Sequence, residues 1–472
     1  MKSLLYTRLQ KALKSYPPRK SLHAALQAGQ SDIEVSGAKG SFLAFLLAEY
    51  LKSHQRPALV VVPNDAEAEH AVEDLRLFGL EAELFPWWGT MPYRPSPESS
   101  PAFGRRVHLL ARMLRAEAFV AVVPVRALIG RLPAPDELER DLLTVQMRGE
   151  FDPAKLSERL ARMGYMRVPR VTVRGEYALR GEVLDIYEPG TEEPYRVVFS
   201  FDEVEAIRTF DPDTQSSTGK AEQITIHPMR EVVWDEERIG RLREALTGLP
   251  EFGEHADGLV EELQARGSSD GEEYLYPLAF PQSAGIYNYL ASNGLVVLAG
   301  LERLPGAIEA LEKEYRDSFL NSDRRGLIPR PERILQPAEE ALRPAHQTLR
   351  THALTVARTA AAESAPASAP AGRPAAGAAP APSSASSTAG AAGDAGAIRF
   401  SYDPPRSFFG NIEFFKQEMR YLEGAGYEVY VLAESESQAA RVSHMLHETG
   451  VTVLPDVISE GFTIPDCKIS VV

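Results

Sequence analysis

The sequence predicts an α/β protein in which a parallel-sheet domain is interrupted by a mostly antiparallel β domain and followed by a linker and a small α/β domain. Three observations predict this. Apolar strand runs at 58–62 and 119–123 alternate with amphipathic helical segments. β-type runs crowd between Arg167 and Asp211, broken by Arg-Gly pairs and Pro-Gly. A tract of Ala, Pro, Ser, Gly and Thr from 358 to 397 separates both from a last strand–helix–strand pattern.

The chain opens on Leu4, Leu5, Leu9 and Leu13 at helical spacing, interrupted by charges, which predicts an amphipathic helix and no export signal. Ala58-Leu59-Val60-Val61-Val62 is a buried-strand run, and Pro63-Asn64-Asp65 starts a helix with Ala68, Ala71, Val72, Leu75 and Phe78 on one face, ended by Gly79. Strands follow at Glu83-Leu84-Phe85 and at 119–123, the latter ended by Pro124. A helix from Ala154 to Met163 leads into the β-rich part, whose strands are expected at 171–173, 182–187 and 195–199. Strands at 224–226 and 295–298 and helices at 238–246 and 307–315 return to α/β character. The tract near 358–397 has four charges and no aromatic residue, so it cannot offset its ordering entropy by burial and reads as a linker; a coil of that length spans about 35 Å root-mean-square. Helices at 408–422 and 435–446 and strands at 428–432 and 451–453 form a βαβ unit. The final apolar run, 469–472, has nothing after it to complete a sheet edge, so the sequence reads as the amino-terminal piece of a longer protein. The expected divisions are 1–135 and 216–350 as two halves of one domain, 136–215 as the insert, 355–397 as the linker and 398–472 as the last domain.

With 472 residues, two to four domains are expected, and 25% charged with 44% hydrophobic residues is ordinary globular composition. The single cysteine, Cys467, excludes an internal disulfide and any zinc site built on two cysteines, and suits a reducing, cytoplasmic setting. A net charge of −15 argues against a surface that grips phosphate backbones throughout, while a local basic face remains open. No stretch approaches the roughly 18 uncharged apolar residues of a membrane span.

Residues 34–41, Glu-Val-Ser-Gly-Ala-Lys-Gly-Ser, precede a helical stretch as a phosphate loop would. Glu34 stands where the first glycine belongs, Lys39 comes one residue early, and Gly40 takes the lysine position. The loop of Gly37, Lys39, Gly40 and Ser41 is degenerate and is not expected to bind nucleotide. His444 and His447, spaced i, i+3, lack further zinc-ligand spacing and read as a solvated pair. The segment 85–93, Phe-Pro-Trp-Trp-Gly-Thr-Met-Pro-Tyr, could stack on bases; without interleaved basic residues, packing at a corner is the better reading. The β insert is the most informative region: Arg162, Arg167, Arg170, Arg174 and Arg180 face one acid, Glu176, in an acidic chain, with Tyr177, Tyr187 and Phe201 as possible anchors beside Asp202 and Glu203. Arginine forks and aromatic anchors suit protein docking; a solvated arginine face is the alternative.

The ordered series of 85–93, 122–128, Gly164-Tyr165 to Arg167, 174–187 (RGEYALRGEVLDIY), 201–208 (FDEVEAIR) and 224–228 (ITIHP) resembles the amino-terminal region of bacterial transcription-repair coupling factor, over roughly 30–330 and more weakly over 398–472. The resemblance implies a UvrB-like, degenerate nucleotide-binding-type fold whose inserted domain binds the damage-recognition ATPase UvrA, in transcription-coupled nucleotide excision repair. It places UvrA contacts at Arg167 and Arg180, with Tyr187 near them and Arg174, Phe201 and Glu203 as neighbours. It implies no catalytic residue, metal or cofactor for this chain. ATP and magnesium, and the partners RNA polymerase and double-stranded DNA, belong to a translocase motor expected beyond residue 472. Two departures stand out: Ala178 occupies a position where UvrB carries a contacting arginine, and Val198 one where relatives tend to carry an acid. The alternatives are a UvrB-type damage-verifying ATPase, which would need an intact phosphate loop, and a direct nucleic-acid binder using Trp87 to Tyr93.

Overall fold

The structure, a computed structural model, describes residues 3–88, 92–94, 101–249, 252–253, 255–269, 271–280, 282–322, 327–353, 397–404, 408, 411–447 and 449–472. Apart from residue 397, the expected linker lies outside the described residues, as do Gly89, Thr90 and Met91 of the aromatic segment. No helix among the described residues is long and apolar enough to cross a membrane.

Seven strands form one wholly parallel sheet in the order Ile398–Arg399, Asp32–Ser36, Gln347–His352, Leu295–Leu298, Ala58–Val62, Val120–Pro124, Ala82–Leu84. The strands Leu295–Leu298, Ala58–Val62 and Val120–Pro124 are buried at every residue, which is why they read as unbroken apolar runs. Their alternate side chains enter two cores. Val60, Val122, Leu295 and Val297 pack beneath the helix Gly40–His54, whereas Leu59, Val61, Ala121, Val123, Val296 and Leu298 pack beneath Pro101–Leu114. Asn64 caps the helix Asp65–Leu77 by accepting the Glu67 amide at 3.0 Å, as the Pro-Asn-Asp cluster predicts.

The β-rich region folds as a six-stranded sheet in the order Ser217–Ala221, Glu203–Phe210, Tyr195–Ser200, Val183–Ile186, Glu176–Arg180, Met166–Arg167, antiparallel except for its last pairing. Its inner face packs Tyr177, Leu184, Ile186, Val197, Phe199 and Ile207 against the helix Pro153–Arg162. Two elements differ from expectation. Residues 171–173 are not a strand, because the Glu176 carboxylate accepts the amides of Thr172 (2.8 Å) and Val173 (3.0 Å) and bends the chain locally. Residues 223–226 do not rejoin the parallel sheet; they pair antiparallel with Leu143–Gln146 as a separate two-stranded ribbon.

The last part of the chain is a four-stranded sheet in the order Thr452–Leu454, Glu428–Leu432, Ile469–Val471, Phe462–Ile464. Strand Glu428–Leu432, helix Glu436–Met445 and strand Thr452–Leu454 form the expected parallel βαβ unit. The run at 469–472, read as a strand from its apolar residues, lies inside this sheet with partners on both sides, supplied by Glu428–Leu432 and the hairpin strand Phe462–Ile464. Phe462, Ile464, Ile469 and Val471 share one core with Leu5, Leu9, Phe42 and Phe45.

Candidate functional site

The outer face of the six-stranded sheet is built by register. Ala178, Asp185, Arg196 and Arg208 stand opposite one another across four strands, and two residues along lies a second row, Arg180, Val183, Val198 and Ala206. Asp185 is fully buried and is the anchor of this face. Its carboxylate accepts Nη2 of Arg180 at 2.6 Å, and Nε and Nη2 of Arg196 at 2.6 and 3.0 Å. The hydrogen bonds to Asp185 raise the already high Arg196 pKa further. Arg180 keeps 53% of its side chain exposed while its fork is fixed by a buried acid. That combination lets it meet a partner without losing much rotamer entropy. In the second row Val183, Val198 and Ala206 are half-buried, an apolar strip beside Arg180.

Phe201 lies at the tip of the hairpin joining Tyr195–Ser200 to Glu203–Phe210. It is 85% exposed and adopts a left-handed φ of 55°, unusual for an aromatic residue. Glu203, also exposed, begins the returning strand. Arg174 is exposed, donates from Nε to the Thr191 carbonyl at 3.0 Å, and lies 5.1 Å above the Tyr187 ring. Tyr187 itself is buried among Val171, Ala178 and Phe210, with its hydroxyl on the Glu192 carbonyl at 2.6 Å, so it supports Arg174 from beneath. Ala178 is buried directly opposite Asp185, where an arginine would compete with Arg180 and Arg196 for the same carboxylate.

The structure brings Arg180, Arg174, Tyr187 and Glu203 to one face and Phe201 to its hairpin tip, but Arg167 differs. Its edge strand pairs Arg167 with Tyr177, whose parity is opposite to that of Arg180, although Arg167 is exposed. Sequence reading did not single out Asp185 and Arg196. Their only signal is an acid embedded in the apolar run Val183-Leu184-Asp185-Ile186, a placement that demands a buried partner.

The degenerate phosphate loop lies between strand Asp32–Ser36 and helix Gly40–His54, with Gly37 and Gly40 at φ 73° and 49°. Its surroundings come from the other end of the chain. Lys39 Nζ pairs with Glu460 Oε1 at 2.8 Å, and the Glu460 amide donates to Ser41 Oγ at 3.2 Å. Ser41 Oγ in turn donates to Asp74 at 2.8 Å, and Asp74 also accepts the Ser459 amide at 2.9 Å. Burial raises the Asp74 pKa despite these bonds. A cavity of about 530 Å³ beside them is floored by Leu43, Leu47, Val60 and Ala71. His444 and His447 are exposed with stacked rings 5.9 Å apart. In the aromatic segment, Trp88 and Tyr93 are buried, and Tyr93 packs on Tyr274, Tyr315 and Phe319.

Residues 143–231 match the UvrB interaction domain family. Relatives along the chain are transcription-repair-coupling factors. That of Haemophilus influenzae is 28% identical over 291 residues, covering 61% of this chain and 25% of the relative. That of Borreliella burgdorferi is 22% identical over 446 residues, covering 93% and 35%. That of Escherichia coli is 27% identical over 293 residues, covering 61% and 25%. The chain thus spans about a quarter to a third of the length of the curated relatives it matches. With a UvrB interaction domain in its antiparallel region and similarity over most of its length, the chain is a relative of the transcription-repair-coupling factors.

Proposed function

We propose that this chain is a non-catalytic recruitment module of transcription-coupled nucleotide excision repair, whose outer β face docks UvrA. The observation that carries the reading is Arg180, half-exposed yet fixed by the buried Asp185, between an open apolar row and the projecting Phe201. Hot-spot residues at interfaces are arginines and aromatics held in place beforehand. Arg174 and Glu203 extend the face, Tyr187 supports it, and Arg167 reaches the partner from the sheet edge. In this reading the insert, 136–215, carries the docking surface on a domain formed by 1–135 and 216–350. Action without nucleotide fits the carboxylate of Glu460 beside Lys39 and Gly40, which opposes a phosphate there. Contacts to RNA polymerase and double-stranded DNA are assigned to other parts of a longer protein.

The test is calorimetry of purified UvrA at about 150 mM salt with this chain and with its Arg180→Ala and Arg167→Ala/Arg180→Ala variants. Arg180→Ala should weaken binding by about 1–3 kcal/mol with an unchanged melting temperature. Unchanged affinity in the double variant would overturn the site, and no binding by the parent chain would overturn the function.

A further inference from the structure

A second constellation lies at the seam between the antiparallel module and the parallel-sheet domain. His108 comes from helix Pro101–Leu114, Glu188 follows strand Val183–Ile186, and His227 follows strand Gln223–Ile226. One nitrogen or oxygen from each lies within 4.8 Å of the others. Glu188 and His227 are almost wholly buried, with 2% and 4% of their side chains exposed, and His108 is 17% exposed. The Glu188 carboxylate is aimed by two backbone amides, from His227 at 2.9 Å and from Gly190 at 3.1 Å. Its ion-pair partners among the described residues are the two imidazoles, His227 Nδ1 in close contact and His108 Nδ1 at 4.0 Å. Neither is a permanent cation.

A carboxylate this deeply buried calls for a positive partner, and the arrangement around it is that of a ligand set. His108 Nδ1 is buried with no hydrogen-bond partner, so its lone pair or proton is unused. Gly190 is what lets the ring approach: a Cβ there would lie 2.0 Å from that nitrogen. The two rings meet at 77° with centroids 4.9 Å apart, and each turns its Nδ1 toward a different oxygen of the carboxylate, His227 toward Oε1 and His108 toward Oε2. Two imidazoles and one carboxylate are the donor set of borderline divalent ions. A cleft of about 540 Å³, lined by His108, Arg105, Arg112, Arg174 and Gly190, opens at His108 and gives an ion its path and a water its place as fourth ligand.

We propose that His108, Glu188 and His227 form a binding site for a zinc-class divalent cation, which fastens the antiparallel module to the parallel-sheet domain. None of the three ligands lies on the docking face, although Arg174 of that face lines the cleft that opens at His108. Arg105, Arg112 and Arg174 line the cleft beside Glu81, Glu83 and Glu192, and one further cation opposes the ion, Arg115, whose Nη2 lies 3.5 Å from His227 Nε2. Its side chain is 42% exposed and is also paired with Glu117, so it has room to turn away.

The test uses the full 472-residue chain, stripped with a chelator and titrated with Co²⁺ and then with Zn²⁺ alone. One equivalent of Co²⁺ should bind with visible d–d bands that Zn²⁺ abolishes, and 100 μM Zn²⁺ should raise the melting temperature. His108→Gln should weaken binding at least tenfold with an unchanged circular dichroism spectrum, Arg115→Ala should tighten it, and His444→Gln/His447→Gln should leave it intact. Absence of both the Co²⁺ bands and the Zn²⁺ shift in the parent chain would overturn the site even if His108→Gln fails to fold. Equal affinity in a folded His108→Gln variant, or loss in the His444/His447 variant, would overturn it as well.

Discussion

Arg106 and Glu231 form an ion pair with both side chains fully buried, joining helix Pro101–Leu114 to the segment that leaves the antiparallel module. The guanidinium also donates to the Pro86 carbonyl at 2.7 Å and lies over the rings of Phe85 and Trp88. Glu231→Ala would leave that cation buried without its counter-charge, so thermal unfolding should show a loss of about 3–5 kcal/mol; a loss below about 1 kcal/mol would mean that the rings and carbonyl suffice. Asp74 makes the opposite case. Burial holds its folded pKa above the ordinary carboxylate value of about 4. The folded state therefore binds this proton more tightly than the unfolded state, and the contribution of Asp74 to stability falls as pH rises through that window. Asp74→Asn should flatten the pH–stability profile between its folded pKa and about 4; an equally steep profile would refute the assignment. Of these residues the sequence displays identity but not pairing. Asp185 inside an apolar strand run was the one readable hint, whereas Arg106 with Glu231, 125 positions apart, offers none.

Among elements, the hairpin carrying Phe201 holds an aromatic residue where the backbone favours glycine. Phe201→Gly should leave the chain as stable as before or up to about 1 kcal/mol more stable, while UvrA affinity falls. A variant that loses stability would show that the ring supports the hairpin, and one that binds normally would remove Phe201 from the interface. Helices and buried parallel strands were legible because their apolar period and caps are local signals, as in Ala58–Val62 followed by the Asn64 cap. Failures came where one side chain overrode propensity. The carboxylate of Glu176 captures the amides of a β-branched triplet at 171–173 and prevents a strand. Residues 224–226 have the composition of a sheet strand, and only the nearness of Leu143–Gln146 decides which sheet they join.

For the whole molecule, the decisive feature is a core that the two ends of the chain share. Phe42 packs on Phe462 and Phe400 with centroids 5.2 and 5.5 Å apart, and Tyr16 packs on Phe400. Ser3 Oγ and the Leu5 amide both donate to Asp456. The parallel sheet and the four-stranded sheet should therefore unfold together. Phe462→Ala should cost about 3–5 kcal/mol and lower the single calorimetric transition of both; a separate early transition of the last 75 residues alone would contradict a shared core.

The sequence by itself determined the α/β class, the order of helices and buried strands, and the family likeness. Apolar period, caps and glycines act over a few residues, and the motif series is linear in the chain. Tertiary structure alone decided which charges meet: Asp185 between Arg180 and Arg196, Glu188 between His108 and His227, and Glu460 on Lys39 across 421 positions. Electrostatic partnership depends on distance in space and on burial, and neither is encoded by separation along the chain.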